Sequence, residues 1–306
     1  MGKVEKAPTG GAAAVGGTLS GILYICGTPI GNLDDITHRV EKTLAQVDMV
    51  AAEDTRRTGL LLKHLGLHKP MLSYHEFNEA ERTEKLLRLL QEGRSIALVA
   101  DAGMPLISDP GYRLISRAVA AGISVVPVPG PTAVTTALVA SGLPAFRYTF
   151  EGFLPVGKKQ RTARLTQLAS ETRTMVFYEA PHRILRTLED LLQALGEREA
   201  VLARELTKLH EEFIRGTISS LIARCRREEL KGEIVLLVAG RAEAEAPRAG
   251  LSDRPDMDKV RQLLTIILAS GWSKRDAVQL LAEATAIPRQ EIYRLLQEEA
   301  GDPAWE

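Results

Sequence analysis

The feature that most narrows the fold is a regular alternation of short apolar runs with amphipathic stretches. From Leu19 onward the runs are ILYIC (22–26), DMVAA (48–52), PMLSY (70–74), SIALVA (95–100) and SVVPV (124–128). Between them lie segments of helical period, among them Asp34 to Val47 and Glu79 to Glu92. Strands alternating with helices predict βαβ units and a parallel sheet. The continuous apolar character of the runs fits strands covered on both faces.

After Ser141-Gly142-Leu143-Pro144 the pattern restarts as RYTFEGF (147–153), TMVFY (174–178), AVLAREL (200–206) and EIVLLVAG (233–240). A helix is well marked from Pro181 to Leu195, but the middle of this half is shorter and more charged. A second α/β domain with a mixed sheet is expected. Residues 241–255, RAEAEAPRAGLSDRP, have the composition of a linker. Three helical stretches follow, about 256–270, 273–285 and 288–299. Ser273 is placed to N-cap the second, and Pro288 falls in the first turn of the third. The short turn at Ala286-Ile287 suits a helix-turn-helix, and a structural helical tail fits equally well. The expected organisation is a flexible Gly/Ala tail (1–18), α/β domains at 19–142 and 143–240, the linker, and a helical extension at 256–306. The fold class is α/β, with a parallel N-terminal sheet and a mixed second sheet.

Composition excludes several classes. The 306 residues carry 39 Lys and Arg against 39 Asp and Glu, which argues against a polybasic protein that grips nucleic acid everywhere. Local segments differ from the average. Thr55 to His75 holds four Lys/Arg, three His and no acid, and Ala145 to Thr174 holds six Lys/Arg against two acids. The helical extension, with six basic and seven acidic residues from 256 to 299, has no such excess. Two cysteines, Cys26 and Cys225, are too few for a disulfide scaffold. No apolar run approaches the ~18 residues of a membrane span, and the N-terminus lacks a signal-like apolar core, so the cytoplasm is the expected compartment.

Three strand ends carry shaped loops: Gly27-Thr28-Pro29-Ile30-Gly31-Asn32, Asp101 to Gly111, and Pro127 to Ala133. In open α/β sheets ligands bind at the carboxyl ends of the strands, so three such loops on one edge make a cleft. Pro131 and Thr132 open a helix whose free N–H groups suit a carboxylate or a hydroxyl-rich ligand. The first loop is not G-x-G-x-x-G. The segment from Gly152 to Lys159 has Walker A spacing, but Lys159 replaces the metal-binding hydroxyl and Pro155 offers no N–H, so a P-loop is rejected. Polar clusters at Glu53–Arg57, Tyr74–Glu76, Tyr178–Arg183 and Arg204–Glu212 form a rim around the cleft. His75, His182 and His210 lack metal-ligand spacing, and no metal is expected.

The motifs GTPIGNLDDITHR, VAAEDTRRTGLLLKHLG, LSYHEFNE, VADAGMPLISDPGYRL, VPVPGPTAVTTAL, EGFLP, FYEAPHR and ARELTKLHEE occur in order over about 20–240. In them the chain resembles the bacterial small-subunit ribosomal RNA methyltransferase I family, within the tetrapyrrole-methylase-like superfamily of S-adenosylmethionine methyltransferases. The resemblance implies two α/β domains with the methyl donor folded between them, and methylation of a cytidine ribose 2′-hydroxyl in the decoding region of 16S rRNA. It implies cofactor contacts at Ile30, at Asp101, Ala102, Gly103 and Ile107, at Thr132 and Ala133, and at Glu179 and Leu206. Ile30 and Asn32 stand where tetrapyrrole enzymes usually have Pro and Asp, which weakens the case for a tetrapyrrole substrate. The resemblance also implies a homodimer. A 16S rRNA partner, free or within the 30S subunit, follows from the same source.

A ribose hydroxyl is a weak nucleophile, so a base or a stabilising cation beside it helps. Glu205 and Lys208, three residues apart after one strand, are the candidates, with His182 and Asp54 behind them. The RNA phosphates are expected to meet Arg56, Arg57, Lys158, Lys159, Arg161 and Arg183, and an unstacked base to meet Tyr74, Tyr178 or Phe153. Two other readings remain: a tetrapyrrole C-methyltransferase on the same fold, and a noncatalytic RNA-binding assembly factor.

Overall fold

A computed structural model describes residues 14–15, 18–241, 257–285 and 287–299. The chain divides into two compact units, Met1–Arg241 and Ala242–Glu306. Most of the tail expected at 1–18, nearly all of the 241–255 linker, and Ala286 of the short turn lie outside the described residues. Within the tail, β1 (Ala14–Val15) pairs antiparallel with β2 (Thr18–Leu19).

The first large sheet is built from the five apolar runs as β3 (Ile22–Cys26), β4 (Met49–Ala52), β5 (Met71–Ser73), β6 (Ile96–Val99) and β7 (Ser124–Val128). Their order is β5-β4-β6-β3-β7, all parallel. Both faces are covered, as continuous apolar strands require. Leu23, Ile25, Ile96 and Leu98 pack with residues of α3 (Glu79–Gln91) and α4 (Tyr112–Ala120). Cys26, Ala97 and Val99 pack with α1 (His38–Gln46) and α2 (Thr55–His64). The chain leaves β3 toward β4 and leaves β6 in the other direction, toward β7. The adjacent ends of β3 and β6 therefore open a crevice at the topological switch point.

The second sheet contains β8 (Tyr148–Phe153), β9 (Thr174–Glu179), β10 (Glu199–Arg204), β11 (Glu212–Thr217) and β12 (Ile234–Val238). Its order is β11-β10-β12-β9-β8, with only the β8–β9 pair parallel. The sheet is mixed, as expected. β11 has no counterpart among the apolar runs: EFIRGT is a half-exposed edge strand with charges and a glycine, so it never reads as a continuous run. One face of this sheet packs on α6 (Lys158–Leu168), α7 (Pro181–Leu195) and α8 (Ile218–Arg227). The other face packs on α5 (Ala133–Ser141), whose Val134, Ala137 and Leu138 meet Val176, Val201 and Val235. The boundary placed at 142/143 thus follows the chain and not the packing. α5 leaves the parallel sheet and is buried against the mixed one.

The smaller unit contains α9 (Met257–Ala269), α10 (Lys274–Thr285) and α11 (Arg289–Glu299) around Val260, Leu264, Val278, Leu281 and Ile292. Ser273 caps α10, accepting the Asp276 N–H at 3.2 Å and donating to the Asp276 carboxylate at 2.7 Å. Among the described residues no helix is long and apolar enough to cross a membrane.

Candidate active site between the two sheets

The loops after β3, β6 and β7 are fixed to one another through backbone. Thr28 and Gly103 exchange N–H···O bonds of 2.9 and 3.0 Å, joining the loop after β3 to the loop after β6. The Thr28 hydroxyl donates to the Ala100 carbonyl at 3.1 Å. Gly27 and Gly130 come so close that a Cβ on Gly27 would lie 2.7 Å from the Gly130 Cα. Gly31 makes the approach to the second sheet: a Cβ there would lie 2.8 Å from the Leu206 carbonyl oxygen and 2.6 Å from Lys208 Cγ. Bare backbone is what lets these loops converge.

Between them lies a cavity of about 370 Å³. Ile30, Ala102, Gly103, Ile107, Thr132, Ala133, Glu179 and Leu206 line it, which brings together eight of the nine residues expected around a cofactor. Asp101 is the exception. Its carboxylate accepts the Asp54 N–H at 3.0 Å and faces Arg57 at 3.5 Å, so it ties the β6 end to α2 and does not enter the cavity. α5 begins at the wall with Thr132 as N-cap, leaving first-turn N–H groups without intrahelical partners beside the cavity.

Glu179 is buried, and its carboxylate is fully engaged. It accepts the Ala180 N–H at 2.9 Å and the Thr187 hydroxyl at 2.5 Å, and faces Arg183 at 3.2 Å. Thr187 in turn accepts from Arg161 at 2.8 Å, and Arg161 pairs with Asp190 at 2.5 Å. This chain corrects two expectations. Arg161 is buried, and Arg183 is held by Glu179 and the Leu154 carbonyl, so neither is free for a phosphate. Both instead position a cavity carboxylate. Arg56 and Arg57 do reach solvent, each ion-paired, and Lys158 and Lys159 are exposed at the start of α6. Two lysines there oppose the helix dipole, at some cost to helix stability.

Glu205 and Lys208 are brought into contact, in a geometry that suits Lys208 as a cation and not Glu205 as a base. Glu205 and Thr207 have φ of 49° and 65°, a tight turn in left-handed backbone. Glu205 accepts from Lys208 and from the Glu233 N–H, both at 2.9 Å. Those hydrogen bonds, Lys208 first, hold its pKa below the usual range, so Glu205 is a structural carboxylate and a poor proton acceptor. Burial works against the Lys208 ammonium, but Glu205 and Glu233 outweigh it and raise its pKa. Lys208 is therefore a fixed cation, and its second partner Glu233, at 3.0 Å, lines the cavity. Asp54 is the N-cap of α2. Hydrogen bonds from the Arg56 guanidinium and N–H hold it down to about 2, and it does not line the cavity. His182 is exposed on the first turn of α7. Tyr74 is fully buried, its hydroxyl 3.0 Å from Glu79, so it cannot stack on a base. Phe153 and Tyr178 do line the cavity and pack edge to face.

One group was missed. Asp109 lines the cavity, and burial, reinforced by the Glu53 and Asp101 carboxylates, pushes it up to about 7. In sequence it sits in Ser-Asp-Pro-Gly, which reads as a turn. One of the charges that raise it, Glu53, comes from the end of β4, and the other, Asp101, from the start of its own loop. Its own charge joins burial in pushing Tyr178 up to about 12.

The family described as tetrapyrrole (corrin/porphyrin) methylases matches residues 22–222. The chain is 47% identical over 285 residues to "Ribosomal RNA small subunit methyltransferase I" of Synechocystis sp., covering 92% of this chain and 99% of that one. It is 50% identical over 221 residues to the protein of the same name from Thermotoga maritima, covering 72% of this chain and 99% of that shorter one. A solved uroporphyrin-III-C-methyltransferase from Thermus thermophilus shares the fold at TM-score 0.53 and 22% identity, covering 72% of this chain and 94% of that one. With its parallel sheet, mixed sheet and intervening cleft, the chain belongs to the tetrapyrrole methylase family, among the small-subunit ribosomal RNA methyltransferases I.

Proposed function

We propose that this protein methylates small-subunit ribosomal RNA with S-adenosylmethionine, at the ribose 2′-hydroxyl of a cytidine in the decoding region. The observation that carries the reading is the identity above, 47% over nearly the full length of both chains, with a relative of that name. The cavity fits the donor. Its volume of about 370 Å³ falls in the range of small-molecule sites, and its walls join apolar Ile30, Ile107 and Leu206 to a buried carboxylate and a helix start. When bound, the donor supplies a reactive methyl on a sulfonium, and the protein's work is alignment, charge and exclusion of water.

The residues take the following parts. The loops after β3, β6 and β7, with Glu179 and Leu206, hold the donor. Lys208, fixed by two carboxylates, steadies negative charge developing at the cleft rim. Phe153 and Tyr178 receive an unstacked base. Lys158, Lys159, Arg56 and Arg57 contact phosphates, and the binding weakens as salt rises. The partner is 16S rRNA, free or within the 30S subunit, and the assembly is a homodimer.

The test is transfer of labelled methyl to naked 16S rRNA, assembled small subunits and a uroporphyrinogen in parallel. Label is expected in RNA, in a dinucleotide that resists alkaline cleavage because its 2′-oxygen is blocked. Label in the porphyrinogen would establish the tetrapyrrole reading instead, and label in none of the three would leave a binding factor.

A further inference from the structure

Two cavities meet at one carboxyl group. The cleft cavity adjoins a second, of about 600 Å³, bounded by Glu53, the 75–79 segment and Pro110, and Ser108 and Asp109 line both. Ligands that exchange a group across this wall would meet there. Three carboxylates line the cleft cavity: Glu179 is held by Arg183, Glu233 by Lys208, and Asp109 by no hydrogen bond or ion pair with any described residue. The loop that presents it is unusual. Leu106 and Ser108 have φ of 75° and 72°, left-handed backbone that non-glycine residues seldom adopt and that clusters at functional sites.

Resting on the RNA methyltransferase reading, we propose that Asp109 accepts the proton of the ribose hydroxyl as its oxygen is methylated. The hydroxyl oxygen forms its bond to the methyl carbon while the carbon–sulfur bond breaks, its electron pair passing to sulfur. The hydroxyl proton goes to a carboxylate oxygen of Asp109. One positive and one negative charge are consumed, so the step balances with no further reactant. Solvent then takes the proton from the carboxyl group.

The groups facing Asp109 suit this task. Glu53 and Asp101 approach from the ends of β4 and β6, Tyr178 from β9, and His75, Glu76 and Glu79 across the second cavity, with Glu179 and Glu233 on the cleft wall. Burial, Glu53 and Asp101 hold Asp109 at about 7, where a carboxyl group can both take and release a proton at neutral pH.

The experiment is single-turnover methylation of 16S rRNA by the full chain from about pH 5.5 to 9, with S-adenosylhomocysteine affinity measured in parallel. The wild-type rate should climb tenfold per pH unit and level near the Asp109 pKa. Asp109→Asn should lose about 10²–10⁴-fold in rate and the climbing limb with it, while binding S-adenosylhomocysteine as wild type does. Asp109→Glu should recover the limb at a reduced rate. An Asp109→Asn enzyme with the wild-type rate and profile overturns the proposal while leaving the substrate reading intact. A variant that loses S-adenosylhomocysteine binding and rate together assigns Asp109 to the cofactor and also overturns it. A wild-type enzyme that methylates no RNA overturns both.

Discussion

The two sheets that enclose the cleft build their halves of it by different physics. The parallel sheet uses backbone: the Thr28–Gly103 bridge, the Gly27–Gly130 approach and the bare edge of Gly31. The mixed sheet uses chains of charge: Asp190–Arg161–Thr187–Glu179–Arg183 behind one wall, and Glu205–Lys208–Glu233 at the rim. A backbone half tolerates no added atoms. A charged half tolerates no lost partner. The difference explains why the same conservative substitution should act differently on the two sides.

The largest effect is expected at Arg161. Removing the buried Arg161 side chain forfeits charge-assisted hydrogen bonds to Asp190 and Thr187, each worth about 1.5–3 kcal/mol. Arg161→Ala should therefore lower the denaturation midpoint strongly and, by freeing Thr187, weaken S-adenosylhomocysteine binding. Urea unfolding and calorimetric titration would check both. Were Arg161 an RNA contact, the variant would instead keep its stability and lose RNA affinity.

On the backbone side, Gly27→Ala would set a Cβ 2.7 Å from the Gly130 Cα and 2.6 Å from the Met104 sulfur. Overpacking of this kind costs about 1–3 kcal/mol, and the loops must part to relieve it. The expected result is a modest loss of stability with a severe loss of ligand binding. Gly152→Ala, on β8 of the mixed sheet, is the control. Its Cβ would approach only the Ser108 hydroxyl at 3.4 Å, so left-handed strain is its main cost and binding should survive. Equal binding losses in the two variants would erase the contrast between the sheets.

The exposed lysines offer a third measure. Changing Lys158 and Lys159 to Gln together should leave stability within about 0.5 kcal/mol. It should lower the salt dependence of RNA binding by about 1–2 in log–log slope, against no change for Arg161→Lys. Filter binding across a salt series reads this directly.

What the sequence made legible follows from how local each signal is. The nine apolar runs account for every strand of the two sheets except β11, because burial on both faces writes itself as a continuous run and a charged edge strand does not. The shaped loops after β3, β6 and β7 were readable from Gly and Pro, and they do line one cavity. Charge was misleading, since Lys and Arg look alike in sequence whether solvated or buried. Arg161 differs from Lys158 only through Thr187 and Asp190, a helix away. Asp109 was invisible for a related reason: its burial and the approach of Glu53, which is distant in sequence, arise only once the parallel sheet has formed.

The last effect is a modest one in stability and the sharpest test, because it should reverse sign between the two sides. Asp109 lies on the parallel-sheet loop with no hydrogen-bond or ion-pair partner among the described residues, and its folded pKa, about 7, stands above the ordinary 3.8. A carboxyl group raised in this way binds its proton more tightly when folded. Its favourable contribution is complete below the unfolded pKa and is lost as pH rises through about 7. At alkaline pH the ionised group therefore opposes folding, and Asp109→Asn should raise the melting temperature by about 2–4 °C, the equivalent of roughly 1 kcal/mol for a chain of this size. Near pH ~4 the carboxyl group is protonated in the folded protein, and the gain should shrink toward zero. Glu179→Gln, the same change on the mixed-sheet wall, removes the charge that Arg183 and Thr187 were arranged to meet. It should lower the melting temperature at neutral pH. Calorimetric melts of both variants at acid and alkaline pH separate a carboxylate kept unpaired for chemistry from one kept paired for structure; equal shifts in both would make them the same kind of group.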